Sequence, residues 1–361
     1  MPATHELPRI GASEIRARIR KLTEPIMQRA RLLGILKAKG RLVMNASGGR
    51  LEWPIRYRRN TPVAQVTYPV AVQFDLPNRI TTAWLPWRQY MLTEAITKKE
   101  VLAQKDSNMA FPRLVDHITE WMMDDFQFYF QRVLYADGES GAYDIHGLES
   151  FFSYNGLVSG GKVGNPNDTY ATISTSLGAL GGTCTGTWPE GQCSVEYCAW
   201  SPIIVDRNQT DFKDVSTADS SWSNNWRKAV RYGRAMLVSK QGIDPDVMIT
   251  SPNVLYQMKN VLDAKVTLEV TQRSPIVDLG IPTLNFEGVE VVDDAFCPDD
   301  TIYMFPSSKV TLYSMQAGLV DMDESVDPYK TRLFVLDFHG QLRCDSPAFF
   351  VKILPISSEG G

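Results

Sequence analysis

Apolar and polar residues alternate over an exceptionally long stretch of this chain, and that pattern constrains its fold more than any other feature. Leu51, Trp53, Ile55 and Tyr57 alternate with Glu52, Pro54, Arg56 and Arg58. After the turn-like Asn60, Thr61 and Pro62 the alternation resumes, with Val66, Tyr68, Val70, Val72, Phe74 and Leu76 on one side. A period of two marks a strand with one apolar face. A strand over residues 63–76 would reach about 45 Å at roughly 3.3 Å per residue, beyond the usual strand length. Pro69 suits an edge or a bulge. A second extended piece runs through Ile80, Trp84 and Trp87, so residues 49–105 read as a long antiparallel arm. A two-stranded ribbon is marginal in water unless its apolar face is covered. The arm could fold back on its own chain. Its length, and the arginines near its turn, favour cover from a neighbouring copy. The candidate intersubunit contacts are Trp53, Arg56, Arg58, Arg59, Tyr68, Phe74, Trp84 and Trp87.

Charge is divided along the chain. Residues 1–59 carry 14 Lys+Arg against 4 Asp+Glu, and the remainder 23 against 37, although the net charge is only −4. A basic end on an acidic body invites pairing between molecules, or nucleic-acid binding by the basic end. No apolar run approaches the length of a membrane span. Residues 1–11 lack the apolar core of a signal peptide, so we expect synthesis in a cytoplasm and no membrane partner. The five cysteines, Cys184, Cys193, Cys198, Cys297 and Cys344, show no Cys-x-x-Cys zinc spacing. Free buried thiols are the simplest reading, with a local disulfide among the first three left open.

Helical periodicity appears in four places. Residues 13–39 carry Ile15, Ile19, Leu22, Ile26, Leu33 and Leu36 at helical spacing, with Pro25 as a break and Gly40 as a stop. Residues 111–136 form the clearest helix, with Leu114, Ile118, Trp121, Met122, Phe126, Tyr129, Phe130 and Val133 as its apolar stripe. It would span about 39 Å. Residues 222–242 repeat the pattern through Trp226, Ala229, Val230, Gly233 and Leu237. Residues 246–250 read as a strand leading through Ser251 and Pro252 into a helix at 253–262. Short strands follow at 283–286, 289–292, 301–305, 310–313, 333–338 and 349–354. With no βαβ repeat, the class is α+β. Residues 153–191 are rich in Gly, Ser, Thr and Asn and read as loops and short strands.

This order of elements resembles the tailed-bacteriophage major capsid protein of the Hong Kong 97 fold. So do local stretches: 129–138 (YFQRVLYADG) with 147–152 (GLESFF), 246–256 (DVMITSPNVLY), and 280–294 (GIPTLNFEGVEVVDD) followed by Cys297-Pro298 and Ile302-Tyr303. The resemblance implies a basic N-terminal arm (1–48), an extended β-hairpin loop (49–105) and a peripheral lobe with the spine helix (106–199). An axial lobe (200–328) and C-terminal strands completing the lobes (329–361) would follow. Residues 154–199 depart from a minimal version of the fold and could be an insertion displayed outside. The implied function is self-assembly into hexamers and pentamers of an icosahedral virion shell enclosing double-stranded DNA, which is contacted without sequence preference. The implied partners are further copies, scaffolding and portal proteins, with a decoration protein left open.

Rival readings are an encapsulin-like compartment, a nucleic-acid-binding protein using residues 1–59, and a cysteine hydrolase on Cys184. Gly182-Thr-Cys-Thr-Gly186 imitates a nucleophile elbow but lacks a strand before it and a helix after it. Asp144, His146 and Ser150 contain the residue types of a triad. His117, on the long helix, reads as a structural histidine. Asp321, Asp323, Glu324 and Asp327 read as a solvated acidic turn, since their spacing is not that of a calcium loop. No cofactor motif and no catalytic set stands out, and we expect no enzyme activity.

Overall fold

The computed structural model describes residues 31–57, 80–97, 99, 110–139, 144–158, 161–176, 184–185, 192–193, 199–213, 221–263, 284–326 and 332–356. In chain order its first elements are α1 (Arg31–Ala38), β1 (Leu42–Val43), β2 (Leu51–Arg56), β3 (Ile80–Leu85), β4 (Arg88–Ile96) and α2 (Ala110–Val133). Next come β5 (Ile203–Asp206), α3 (Trp222–Gln241), β6 (Val247–Thr250) and α4 (Pro252–Asp263). The chain continues with β7 (Leu284–Phe286), β8 (Val289–Asp293), β9 (Ile302–Phe305), β10 (Val310–Ser314), β11 (Asp321–Val326), β12 (Arg332–Cys344) and β13 (Val351–Leu354). Short hairpins lie between α2 and β5. Helices and mixed sheets without a repeating βαβ unit make the class α+β, as expected.

A mixed six-stranded sheet has the order β5-β13-β9-β6-β8-β7. The pairs β5/β13 and β6/β8 are parallel and the others antiparallel. Its inner strands are apolar almost throughout, as strands covered on both faces must be. In β9, Ile302 and Met304 join the core under α3 and α4, while Tyr303 and Phe305 join the core on the other face. Trp226, Ala229, Val230 and Leu237 of α3 supply the helical side, on the face that their spacing predicts. Gly242 (φ +68°) ends α3, its N–H donating to Val238 O (2.8 Å).

The second sheet has the order β1-β10-β12-β11, and β4 also pairs with β12, from Arg332↔Ile96 to Gly340↔Arg88. The 13-residue β12 is its spine. Residues 321–326, read from sequence as an acidic turn, are instead the strand β11, paired with residues 332–337. A strand tolerates this composition because one edge satisfies its backbone while alternate side chains face water. Among the described residues no group of acidic, histidine and cysteine side chains could hold a metal. None of the described helices is long and apolar enough to cross a membrane.

Two junctions lock the parts together. Lys352 of β13 bonds Glu149 (2.6 Å), which also accepts from the Tyr303 hydroxyl. Tyr170 is wholly buried; its hydroxyl accepts from Cys344 N (2.9 Å), and its ring packs edge-on to Phe151 at 5.2 Å. Residues 154–199 are therefore not displayed on the outside as a whole, since Tyr170 anchors part of them in the core. The rest of the helical stretch predicted before α1, including Pro25, lies outside the described residues. The stop at Gly40 is present: it adopts φ +66°, which only glycine takes freely, and Arg41 N–H closes the turn on Leu36 O (2.7 Å).

Candidate assembly surface

The base of the alternating ribbon is a two-stranded hairpin in which Leu51 faces Leu85 and Arg56 faces Ile80. Leu51, Trp53 and Ile55 are buried while Glu52, Pro54 and Arg56 are exposed, as the alternation requires. The cover, however, comes from the same chain. Trp53 is 6% exposed, donates from Nε1 to Asp345 O (2.9 Å), and lies under the Arg343 guanidinium at 5.3 Å. This corrects the expectation that the ribbon lacks cover within its own molecule: at its base it has that cover, and Trp53 presents little surface to a neighbour. Trp84 is half-buried beneath Arg50 (4.9 Å), and Trp87 donates to Gly48 O (2.8 Å). Arg56 and Ile80 are exposed at the far end of the pairing, where the chain leaves for residues 57–79. Arg58, Arg59, Tyr68, Phe74 and the expected strand at 63–76 lie outside the described residues.

Helix α2 has two unlike faces. Ile118, Met122, Phe126, Phe130 and Val133 point inward, and Phe130 meets Phe338 edge-on at 4.8 Å. Trp121 and Tyr129, read from sequence as part of that stripe, point outward instead. Both fit a three- and four-residue count, but the buried arc is filled by Met123 and Gln127. Trp121 is 63% exposed and Phe128, which lies off the predicted stripe, is 65% exposed. They stand seven residues apart, about two helical turns, and therefore share a side of the helix. His117 stacks against Trp121 (6.1 Å) at the surface, so it is not a core histidine.

Beside this face lies a cleft of about 640 Å³, lined among others by Asp124, Asp125, Phe128, Gln131, Asp293 and Phe296. Phe128 and Phe296 meet edge-on at 5.2 Å, giving it an apolar wall. Arg31 of α1 pairs with Asp293, and the neighbouring Leu32 N–H donates to Asp294 Oδ2 (3.3 Å). Lys39 reaches Glu290 at 3.1 Å. The described part of the basic end thus meets the acidic body inside one molecule. Burial pushes the Asp294 carboxyl above the usual range, against the opposing pull of its hydrogen bonds to Phe296 N and Tyr135 Oη.

Among the described residues, Asp144, His146 and Ser150 are engaged separately. Asp144 bonds the Tyr90 hydroxyl (3.3 Å), Ser150 Oγ accepts from Gly138 N (3.0 Å), and His146 Nδ1 has no hydrogen-bond partner among the described residues. No relay joins the three. Cys184 sits in a two-residue strand paired with residues 192–193.

Solved structures share this arrangement over most of the chain. The capsid asymmetric unit of cyanophage A-1(L) superimposes with a TM-score of 0.55, covering 90% of this chain and 92% of that one at 18% identity. The chain has a phage capsid fold. The capsid of a native GTA particle is similar at a TM-score of 0.53, 12% identity and coverage of 90% and 91%. That of the empty GTA particle matches at 0.53 and 10%, with 90% of each chain covered. No family model and no curated relative matches the sequence. In each case the likeness spans about nine-tenths of both chains.

Proposed function

We propose that this chain is a major capsid protein whose copies assemble into an icosahedral virion shell around phage DNA. The observation that carries the reading is the near-complete overlap with phage capsid chains. The layout supports its Hong Kong 97 form. Residues 1–48 are the N-terminal arm, 49–105 the extended loop rooted in the β2–β3 hairpin, and 106–199 the peripheral lobe along α2. Residues 200–328 are the axial lobe around the six-stranded sheet, and 329–361 complete both lobes.

Heterologous contacts between unlike patches generate closed rings, here hexamers and pentamers. The far part of the loop reaches a neighbour, with Arg56, Arg58, Arg59, Tyr68 and Phe74 as its contacts and the half-buried Trp84 and Trp87 bracing its root. The cleft beside α2 is the acceptor matched to it: Asp125 is exposed on that face for the arginines, and Trp121 and Phe128 offer exposed apolar area. Packaged DNA is touched through backbone charge alone, and scaffolding and portal proteins complete the set of partners. The role is mechanical and involves no catalysis.

The test is the triple substitution Arg56→Glu, Arg58→Glu, Arg59→Glu, followed by sedimentation velocity. We expect wild-type protein in fast-sedimenting particles and the variant as small species with unchanged circular dichroism. Equal particle yield would remove the loop from assembly.

A further inference from the structure

The Gly- and Thr-rich segment places two of its cysteines at one register position. Cys184–Thr185 and Gln192–Cys193 form an antiparallel hairpin in which Cys184 stands directly opposite Cys193. Directly opposed residues in such a pair have Cα atoms about 4.5–5.5 Å apart, inside the roughly 4.4–6.8 Å that a disulfide bridges. The register matters, because a one-residue slip would send the two positions to opposite faces.

We propose that Cys184 and Cys193 are a reversible thiol–disulfide pair, closed by exchange with a small-molecule disulfide. The thiolate of one cysteine attacks the small disulfide, giving a mixed disulfide and releasing one small thiol. The thiolate of the other then displaces the second small thiol. Two protein thiols become one disulfide, one small disulfide becomes two thiols, and the two protons go to solvent or to the released thiolates. A reducing cytosol keeps the pair open and an oxidising solution closes it.

The other described cysteines are poor competitors. Cys297 and Cys344 are buried and free, and burial raises both thiols far above the ordinary range, leaving almost no thiolate. A ladder of two residue pairs holds weakly by itself, so a cross-link there changes how firmly the hairpin is closed. The chemistry needs one chain only and stands apart from the capsid reading.

The test uses full-length protein equilibrated with excess oxidised glutathione, alkylated, denatured and digested without reduction by a glutamate-specific protease. Cleavage at Glu190 and Glu196 places Cys184, Cys193 and Cys198 on three different peptides. We expect the Cys184 and Cys193 peptides to be joined in most molecules, to separate after dithiothreitol, and to stay joined in Cys198→Ser. Alkylation of both cysteines, a link from either one to Cys198, or a dimer on a non-reducing gel would each overturn the proposal.

Discussion

His146 is buried with an unsatisfied Nδ1, and burial, reinforced by Arg88, pulls its pKa down to about 4 while Asp137 opposes. A histidine that titrates lower in the folded than in the unfolded chain favours folding above about pH 6.5. That advantage is lost as pH falls toward 4, an effect on the order of 3 kcal/mol. Urea unfolding from pH 7 to 4 should therefore show a falling midpoint in wild type and a flatter profile in His146→Gln; parallel profiles would contradict this. The Glu149–Lys352 pair is a second sensitive point. Burial raises the Glu149 carboxyl and Lys352 pulls it back. Removing one partner of a buried pair strands the other charge, so Lys352→Met should cost about 3–5 kcal/mol. The double variant Lys352→Met with Glu149→Leu should regain much of that in the same unfolding assay.

Helix α2 carries a buried face and an exposed one. Phe130 packs between Phe126 (5.4 Å) and Phe338 (4.8 Å), so Phe130→Ala should destabilise the subunit by roughly 3–5 kcal/mol. The exposed Trp121 contributes little within one molecule, so Trp121→Ala should shift subunit stability by about 0.5 kcal/mol or less while lowering particle yield. Thermal unfolding of the subunit and light scattering of assembly distinguish the two variants. Element types and limits were legible where a local signal sets them. Gly40, Gly242 and Pro252 bound their helices as glycine stops and a first-turn proline should, and Leu51, Trp53 and Ile55 announced β2 by alternation. The orientation of α2 was not legible, because Trp121 and Tyr129 suit a helical count as well as Met123 does. Which arc is buried depends on β4 and β12, distant in sequence. β11 was missed for a related reason: Asp321, Asp323 and Glu324 form a strand only because β12 offers them a free edge.

For the whole molecule, the described part of the charge division is met within the subunit. Arg31 and Lys39 neutralise Asp293 and Glu290 within the subunit, fastening α1 to β8 of the six-stranded sheet. Arg56 is exposed at the end of the ribbon base, where the proposed contact between subunits would begin. The sequence carried the order of the parts well enough to suggest a capsid fold. It misjudged where the ribbon finds its cover, since the residues that shelter Trp53 come from 343–345, near the other end of the chain. The central claim is that copies of this chain close into a shell. Electron microscopy of the purified full-length protein, concentrated at neutral pH, tests it most directly. Closed, hollow particles of regular diameter are the expected result; a monodisperse monomer at the highest attainable concentration would contradict it.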